Sequence, residues 1–159
     1  MPNINPFAKN AIFVSKEKSK EKIFKAVYQD LVEKGYAQGD FYQDILSREN
    51  NFPTGLSLKT LGPSLPNIAV PHIEGVFVKK SLIVPVAIKY PVTFNNLIDE
   101  NQNFSVKFLF MLLDATPDGQ AKLFSAVLDF LANTSQDELK YLFEMDNAEE
   151  IYKFLSEKF

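Results

Sequence analysis

No cysteine occurs among the 159 residues, which excludes disulfides, thiolate metal sites and a cysteine nucleophile together. Histidine occurs once, as His72, and arginine once, as Arg48. A metal site built on imidazoles is therefore excluded, and only carboxylate sites remain. Long apolar runs are missing too. The most apolar stretches, such as residues 82–88, fall far short of a bilayer span. The first residues, Met1-Pro2-Asn3-Ile4-Asn5-Pro6, lack the basic and apolar regions of a signal peptide. A net charge of −3, with no basic block or stripe interleaved with aromatics, argues against nucleic acid as a partner. These absences predict a soluble cytoplasmic protein and give a metal site little support.

What the chain does hold is core material. Hydrophobic residues make up 46% of it, with 15 Phe and 6 Tyr, enough to fill one domain over residues 1–159. Residues 11–14 form a short extended run. Ser15 is then a natural N-cap, and Ile23, Phe24, Val27, Tyr28, Leu31 and Val32 recur at helical spacing, which predicts a helix over residues 16–34 ended by Gly35. Asp40 with Gln43 reads as a capping box for a second helix, with Phe41, Tyr42, Ile45 and Leu46 inward and an end near Arg48-Glu49-Asn50. Residues 51–67, dense in Pro, Gly, Ser and Asn, predict a long loop, and such loops often carry function.

Leu82 to Tyr90 reads as a strand in which Pro85 removes a donor and favours an edge or a bulge. Val106 to Leu113 is nearly continuously apolar, as a strand covered on both faces should be. Residues 114–119 predict a turn, followed by a helix over 120–131 with Leu123, Phe124, Val127, Leu128 and Leu131 inward. Ser135 with Glu138, and Asn147 with Glu150, mark two further helix starts. The pattern is that of an α/β fold, with a small sheet flanked by helices.

Three places carry possible chemistry. Pro71 biases Val70 towards an extended backbone, so His72 is predicted just beyond the end of a short strand, where open α/β sheets place ligands. Imidazole is the side chain that attacks or accepts protons near neutral pH; a histidine hydrogen-bonded against the core is the other reading of the same position. Arg48, at a helix end, could hold an anion in its planar fork, or could simply complement the helix dipole. Asp118-Gly119-Gln120-Ala121 opens a helix whose backbone donors suit an anion, or is an ordinary capped start. Neither a Gly-x-Ser-x-Gly elbow nor a Gly-x-x-x-x-Gly-Lys-Ser/Thr loop is present. The alternating charges of residues 16–22 read as a solvated helix face.

Taken together and in order, Gly35-Tyr36, Phe41-Tyr42, Arg48-Glu49, Phe52-Pro53-Thr54-Gly55, Ile68-Ala69-Val70-Pro71-His72, Val92-Thr93-Phe94 and the apolar segment 108–113 resemble enzyme IIA domains. The branch is the fructose, mannitol and galactitol branch of the bacterial sugar phosphotransferase system. The resemblance covers nearly the whole chain. It implies the α/β fold of the fructose/mannitol-type IIA domains, a small mixed sheet flanked by helices. It also implies a phosphotransferase that needs no cofactor. The carrier protein HPr would present a phosphohistidine, His72 would take the phosphoryl group, and a cysteine of the cognate enzyme IIB would receive it on the way to sugar entering through the membrane component IIC.

In the same resemblance Arg48 matches the arginine that holds the phosphoryl group, and Thr54 offers a hydroxyl to it. Several family members carry a second histidine at the start of the helix after the last core strand. Here Gln120 matches that place; it can donate a hydrogen bond but cannot carry charge near neutral pH. That departure and the Phe-Pro-Thr-Gly segment look more like the galactitol-type members. The resemblance equally accommodates a regulatory module whose His72 phosphorylation state controls a partner protein. Either way, a flat, partly apolar surface bordered by Ile73 and Val76 is expected around His72, and a chain without IIB or IIC portions would act as a separate subunit.

Overall fold

The computed structural model describes residues 5–159, apart from the side chains of Pro117, Asp118 and Gln120. In chain order the elements are β1 (Phe13–Ser15), α1 (Lys20–Glu33), α2 (Tyr42–Asn51), β2 (Gly55–Leu56), β3 (Asn67–Ala69), β4 (His72–Ile73), β5 (Leu82–Asn95), β6 (Asn103–Leu113), α3 (Pro117–Asn133), α4 (Gln136–Phe143) and α5 (Ala148–Lys158). A single 3₁₀ turn, Gly75–Phe77, follows β4.

The strands form one mixed sheet in the order β1-β5-β6-β3-β2, with β4 also on β6. The long β5–β6 pair is antiparallel, whereas β1 runs parallel to β5, and β3 and β4 run parallel to β6. Alternation along the central strands sends side chains to opposite faces. Leu82, Val84, Val86, Leu109, Met111 and Leu113 meet α1 and α2. Ile83, Ala87, Phe108, Phe110 and Leu112 meet α3, α4 and α5. Residues 108–113 are wholly buried, as the continuous apolar run predicts. Each large apolar side chain so buried stabilises the fold by about 1.5–3 kcal/mol.

Several boundaries differ from the sequence expectations. Ser15 is taken by β1, where it pairs with Ile88; Ser19 caps α1 instead, accepting from the Lys22 N–H at 3.2 Å. Asp40 does not cap α2. Gly39, at φ 72°, turns the chain, and the helix follows Phe41 without a side-chain cap. The helix then continues beyond Glu49 to Asn51. Residues 51–67 are not all loop, since β2 pairs with β3. Pro85 lies in neither an edge strand nor a bulge, because β5 has β1 and β6 on its two sides. The Ile83 N–H donates to the Pro6 carbonyl on the β1 side, so the donor missing two residues on falls just before β1 begins its pairing at Val86. The irregular stretch of β5 comes later, between Ala87 and Val92. Finally, α3 starts at Pro117, capped by Thr116, and Leu128 faces solvent.

Two glycines mark close approaches near the ends of the central strands. A Cβ on Gly75 would lie 2.5 Å from the Ala115 carbonyl oxygen, which ties the turn after β4 to the β6–α3 connection. A Cβ on Gly55 would lie 2.5 Å from the Asn95 carbonyl oxygen. There the Leu97 N–H donates to the Gly55 carbonyl at 2.8 Å, bringing the β5–β6 turn against the segment after α2.

Candidate functional site

The strand stops before His72, as expected, but pairing resumes at His72 itself. Pro71 breaks β3 after Ala69, but its carbonyl accepts from the Leu112 N–H at 2.8 Å, and the chain re-joins β6 with His72 opposite Leu112 and Ile73 opposite Leu113. His72 is thus the first residue of a resumed strand, held by sheet hydrogen bonding, and it is half-buried. Its ring lies 6.0 Å from that of Phe124 on α3.

His72 opens on a cleft of about 220 Å³ that it shares with Ile45, Arg48, Glu49, Phe52, Thr54 and Leu97. The structure therefore brings together His72 on β4, Arg48 on α2 and Thr54 from the α2–β2 connection. Burial, and then the Arg48 guanidinium, hold the imidazole below its ordinary value of 6.5, against a hydrogen bond to the Val70 backbone that raises it. Near pH 7 the ring is neutral and keeps a lone pair, as a nucleophile requires. The ion pairs among the described residues join Lys34 to Asp30 and Lys158 to Glu138. Neither uses Arg48, which lines the cleft beside His72. Asp44 on α2 interacts with Glu74 after β4 and with Arg48. Burial, then the Glu74 carboxyl, push Asp44 upward, while Arg48 offsets part of this.

Thr54 is buried. Its N–H donates to Glu49 Oε2 at 2.8 Å and its hydroxyl donates to Glu49 Oε1 at 2.7 Å. The Val70 N–H is shared between the Thr54 hydroxyl oxygen and the Thr54 carbonyl oxygen, each at 3.2 Å. The Thr54 proton is thus directed at Glu49. Gln120 lies in the first turn of α3, but its side chain is outside the described residues, as is that of Asp118. The α3 start is already filled. The Gly119 N–H donates to Thr116 Oγ1, the Thr116 hydroxyl donates to Asp114, and a Cβ on Gly119 would overlap the Asp114 carboxylate. Ile73, expected at the surface, is fully buried, whereas Val76 is 67% exposed.

Sequence reasoning passed over Glu49, Phe52 and Leu97 as site residues. Glu49 is only 3% exposed, and burial pushes its carboxyl up to about 7, although both Thr54 donors and Lys20 pull it down. The signal was available: Phe41, Ile45 and Glu49 follow at intervals of four, so a carboxylate continues an apolar stripe. No comparable signal marks Leu97, which the β5–β6 turn delivers. Among the described residues no three or more His, Cys, Asp or Glu side chains gather as a metal site, and no helix is long and apolar enough to cross a membrane.

The site is thus a helix-flanked mixed sheet that presents one neutral histidine and one arginine on a shared cleft. The family model described as "Phosphoenolpyruvate-dependent sugar phosphotransferase system, EIIA 2" matches residues 5–158, and the chain belongs to that family. It is 30% identical over 94 residues to the galactitol-specific EIIA component of the phosphotransferase system of Escherichia coli K12, covering 59% of each chain. The chain thus spans about three-fifths of the length of the curated relatives it matches. Among solved structures, the mannitol IIA protein of Escherichia coli superimposes with a TM-score of 0.69 at 22% identity, over 94% of this chain and 98% of that one. The IIA–phosphorylated IIB mannitol complex from the same organism superimposes with a TM-score of 0.69 at 21% identity, over 94% and 96%. These likenesses bear out the expected fold, the mannitol-type IIA fold with a mixed sheet.

Proposed function

We propose that residues 1–159 act as one IIA phosphocarrier domain in the cytoplasm. His72 takes a phosphoryl group from the phosphohistidine of HPr and passes it to a cysteine of a cognate enzyme IIB, which feeds sugar or sugar-alcohol uptake through IIC. The observation that carries this reading is a half-buried imidazole, kept neutral, sharing a cleft with an arginine that has no ion-pair partner within the described fold. In the forward step the ring lone pair forms the new N–P bond. The donor N–P bond breaks, and its electron pair returns to the donor imidazole. Arg48 offsets the charge on the phosphoryl oxygens during passage. The galactitol-specific relatives and the IIB partner of the mannitol structure support a sugar alcohol as the transported substrate and IIB as the acceptor.

The test is phosphoryl transfer from phosphoenolpyruvate through enzyme I and HPr, with Mg²⁺ for enzyme I. An acid-labile, base-stable phosphate should appear on this chain and discharge onto a IIB domain. Arg48→Ala should slow acceptance about 100-fold without unfolding the protein; an unchanged rate removes Arg48 from the site. Transfer to HPr and back, but to no IIB, would favour the regulatory role.

Two different proteins must reach His72 in turn, so the surface beside it has to be apolar enough to bind and small enough to release. Phe52 is 76% exposed, Leu97 43% and Ile98 88%. Phe52 and Leu97 wall the His72 cleft and, with Ile98, a second hollow of about 250 Å³ next to it. Ile98→Asp should raise the KM for phospho-HPr about tenfold with kcat nearly unchanged, because it removes docking contact and leaves the chemistry alone. An equal loss in kcat would place Ile98 in the reacting site instead.

A further inference from the structure

Glu49 is a buried carboxyl that the transfer step described above does not use. It faces the cleft from α2 and bonds Thr54 through both of its oxygens. The charged or titratable groups around it are few. Lys20, at the start of α1, bonds Asn50 at 3.1 Å and pulls Glu49 down only weakly. Arg48 shares its helix, and His72 stands across the cleft on β4. From the β5–β6 turn comes only Leu97.

The hydrogen bonds around Thr54 leave two arrangements. A hydroxyl has one proton to give and two lone pairs with which to accept. With Glu49 ionised, the Thr54 hydroxyl donates to Oε1 at 2.7 Å and accepts at 3.2 Å from the Val70 N–H, which the Thr54 carbonyl shares. With a proton on Oε1, two donors cannot share that line, and the carboxyl O–H donates to Thr54 instead. Both lone pairs of the hydroxyl are then used, by Glu49 and by the Val70 N–H. Its own proton has to turn away from Glu49, and Thr54 lines the cleft that His72 opens on.

We propose that Glu49 is a positioning residue whose protonation turns the Thr54 hydroxyl from a donor to Glu49 into a donor to the cleft, where it holds an anion on His72. The identity of that anion as a phosphoryl group rests on the function proposed above; the Glu49–Thr54 switch does not. A dianionic group on His72 disfavours a second negative charge beside it, so phosphorylation and proton uptake by Glu49 reinforce each other. Thr54 then supplies a neutral donor in a cleft whose charged anion-holding group is Arg48. The burial of Glu49 places its titration near neutral pH, at about 7, where a switch of this kind operates.

The experiment is an NMR titration of the full-length, unphosphorylated chain from about pH 5 to pH 9. It follows the Glu49 side-chain carboxyl carbon and the backbone amides of Thr54 and Val70. All three should move together with a midpoint near 7, and Glu49→Gln should flatten the two amide titrations. Phosphorylating His72 should raise the Glu49 midpoint by about one pH unit. In transfer assays, Glu49→Gln should remove any change in acceptance rate centred on that midpoint, and Thr54→Val should slow acceptance about tenfold while Glu49 still titrates. A Glu49 midpoint below about 5.5, or flat Thr54 and Val70 amides beside a titrating Glu49, overturns the proposal even if neither variant folds. If His72 accepts no phosphoryl group, the carrier reading falls alone, because the switch is read on the unphosphorylated protein.

Discussion

Replacing His72 with alanine is expected to abolish phosphoryl acceptance, by at least about 1,000-fold. No other nucleophile in the cleft can substitute. The Thr54 hydroxyl is buried and directs its proton to Glu49, Arg48 is a cation, and the remaining lining is apolar apart from Glu49 itself. An acyl phosphate on Glu49 would be base-labile, unlike a phosphohistidine, so the stability of the bond distinguishes them. His72→Gln separates shape from chemistry, since glutamine keeps a hydrogen-bonding side chain but offers no ring lone pair. Retention of acid-labile label on either variant at normal stoichiometry would remove His72 from the mechanism.

The pH response of the same step follows from the direction of the imidazole shift. Burial first, and Arg48 second, lower the His72 value from 6.5. The nucleophilic neutral form therefore persists to lower pH than in a free histidine, and His72 itself limits acceptance only on the acid side of 6.5. Arg48→Ala removes the second cause, so it should move that acid limb towards 6.5. The measurement is the pH profile of kcat/KM for the variant against the native chain, with the same phosphorylated donor.

Much of the layered fold was legible because burial leaves a periodic mark. The apolar runs in 82–88 and 106–113 reflect a sheet covered on both faces, and the caps at Ser135 and Asn147 are short-range chemistry. The misplaced boundaries have tertiary causes. Ser15 is a good cap by itself, but β1 needs it as a partner for Ile88. Pro85 reads as an edge residue until one sees that β1 is too short to need its donor. The break at Pro71 is real, yet β6 offers unpaired groups beyond it, and the strand resumes.

The site divides the same way. His72 and Arg48 stand out as the sole members of their residue types, and the structure places both on one cleft. The sequence leads one to expect the Thr54 proton in the cleft, and the structure shows it bonded to Glu49, a partner five positions earlier at the C-terminal end of α2. Leu97 reaches the cleft through the approach of the β5–β6 turn to Gly55, a contact that no local pattern encodes.

The largest effect on stability is expected at Glu49, and its size depends on pH. Burial raises the carboxyl from 4.5 to about 7 in the folded protein. Between these values the native state binds the proton that the unfolded chain releases, so stability is full below pH 4.5 and falls as pH rises towards 7. The shift corresponds to a cost of about 3 kcal/mol once the group is ionised. The Glu49→Gln variant resembles the protonated form, with an amide in place of the carboxyl. It should therefore exceed the native chain in stability by about 3 kcal/mol at pH 8, a rise of about 8 °C in Tm for a chain of this size, and the difference should shrink to about 1 kcal/mol by pH 5. His72 pulls the other way, because its lowered value makes stability fall as pH drops below 6.5; comparing the two proteins at each pH removes that contribution to first order. Denaturant unfolding across pH 5–8.5 supplies the measurement. If Glu49→Gln leaves the protein less stable than the native chain at pH 8, or if the difference does not change with pH, the buried carboxylate is a structural anchor, because a strained and titrating charge requires the opposite trend.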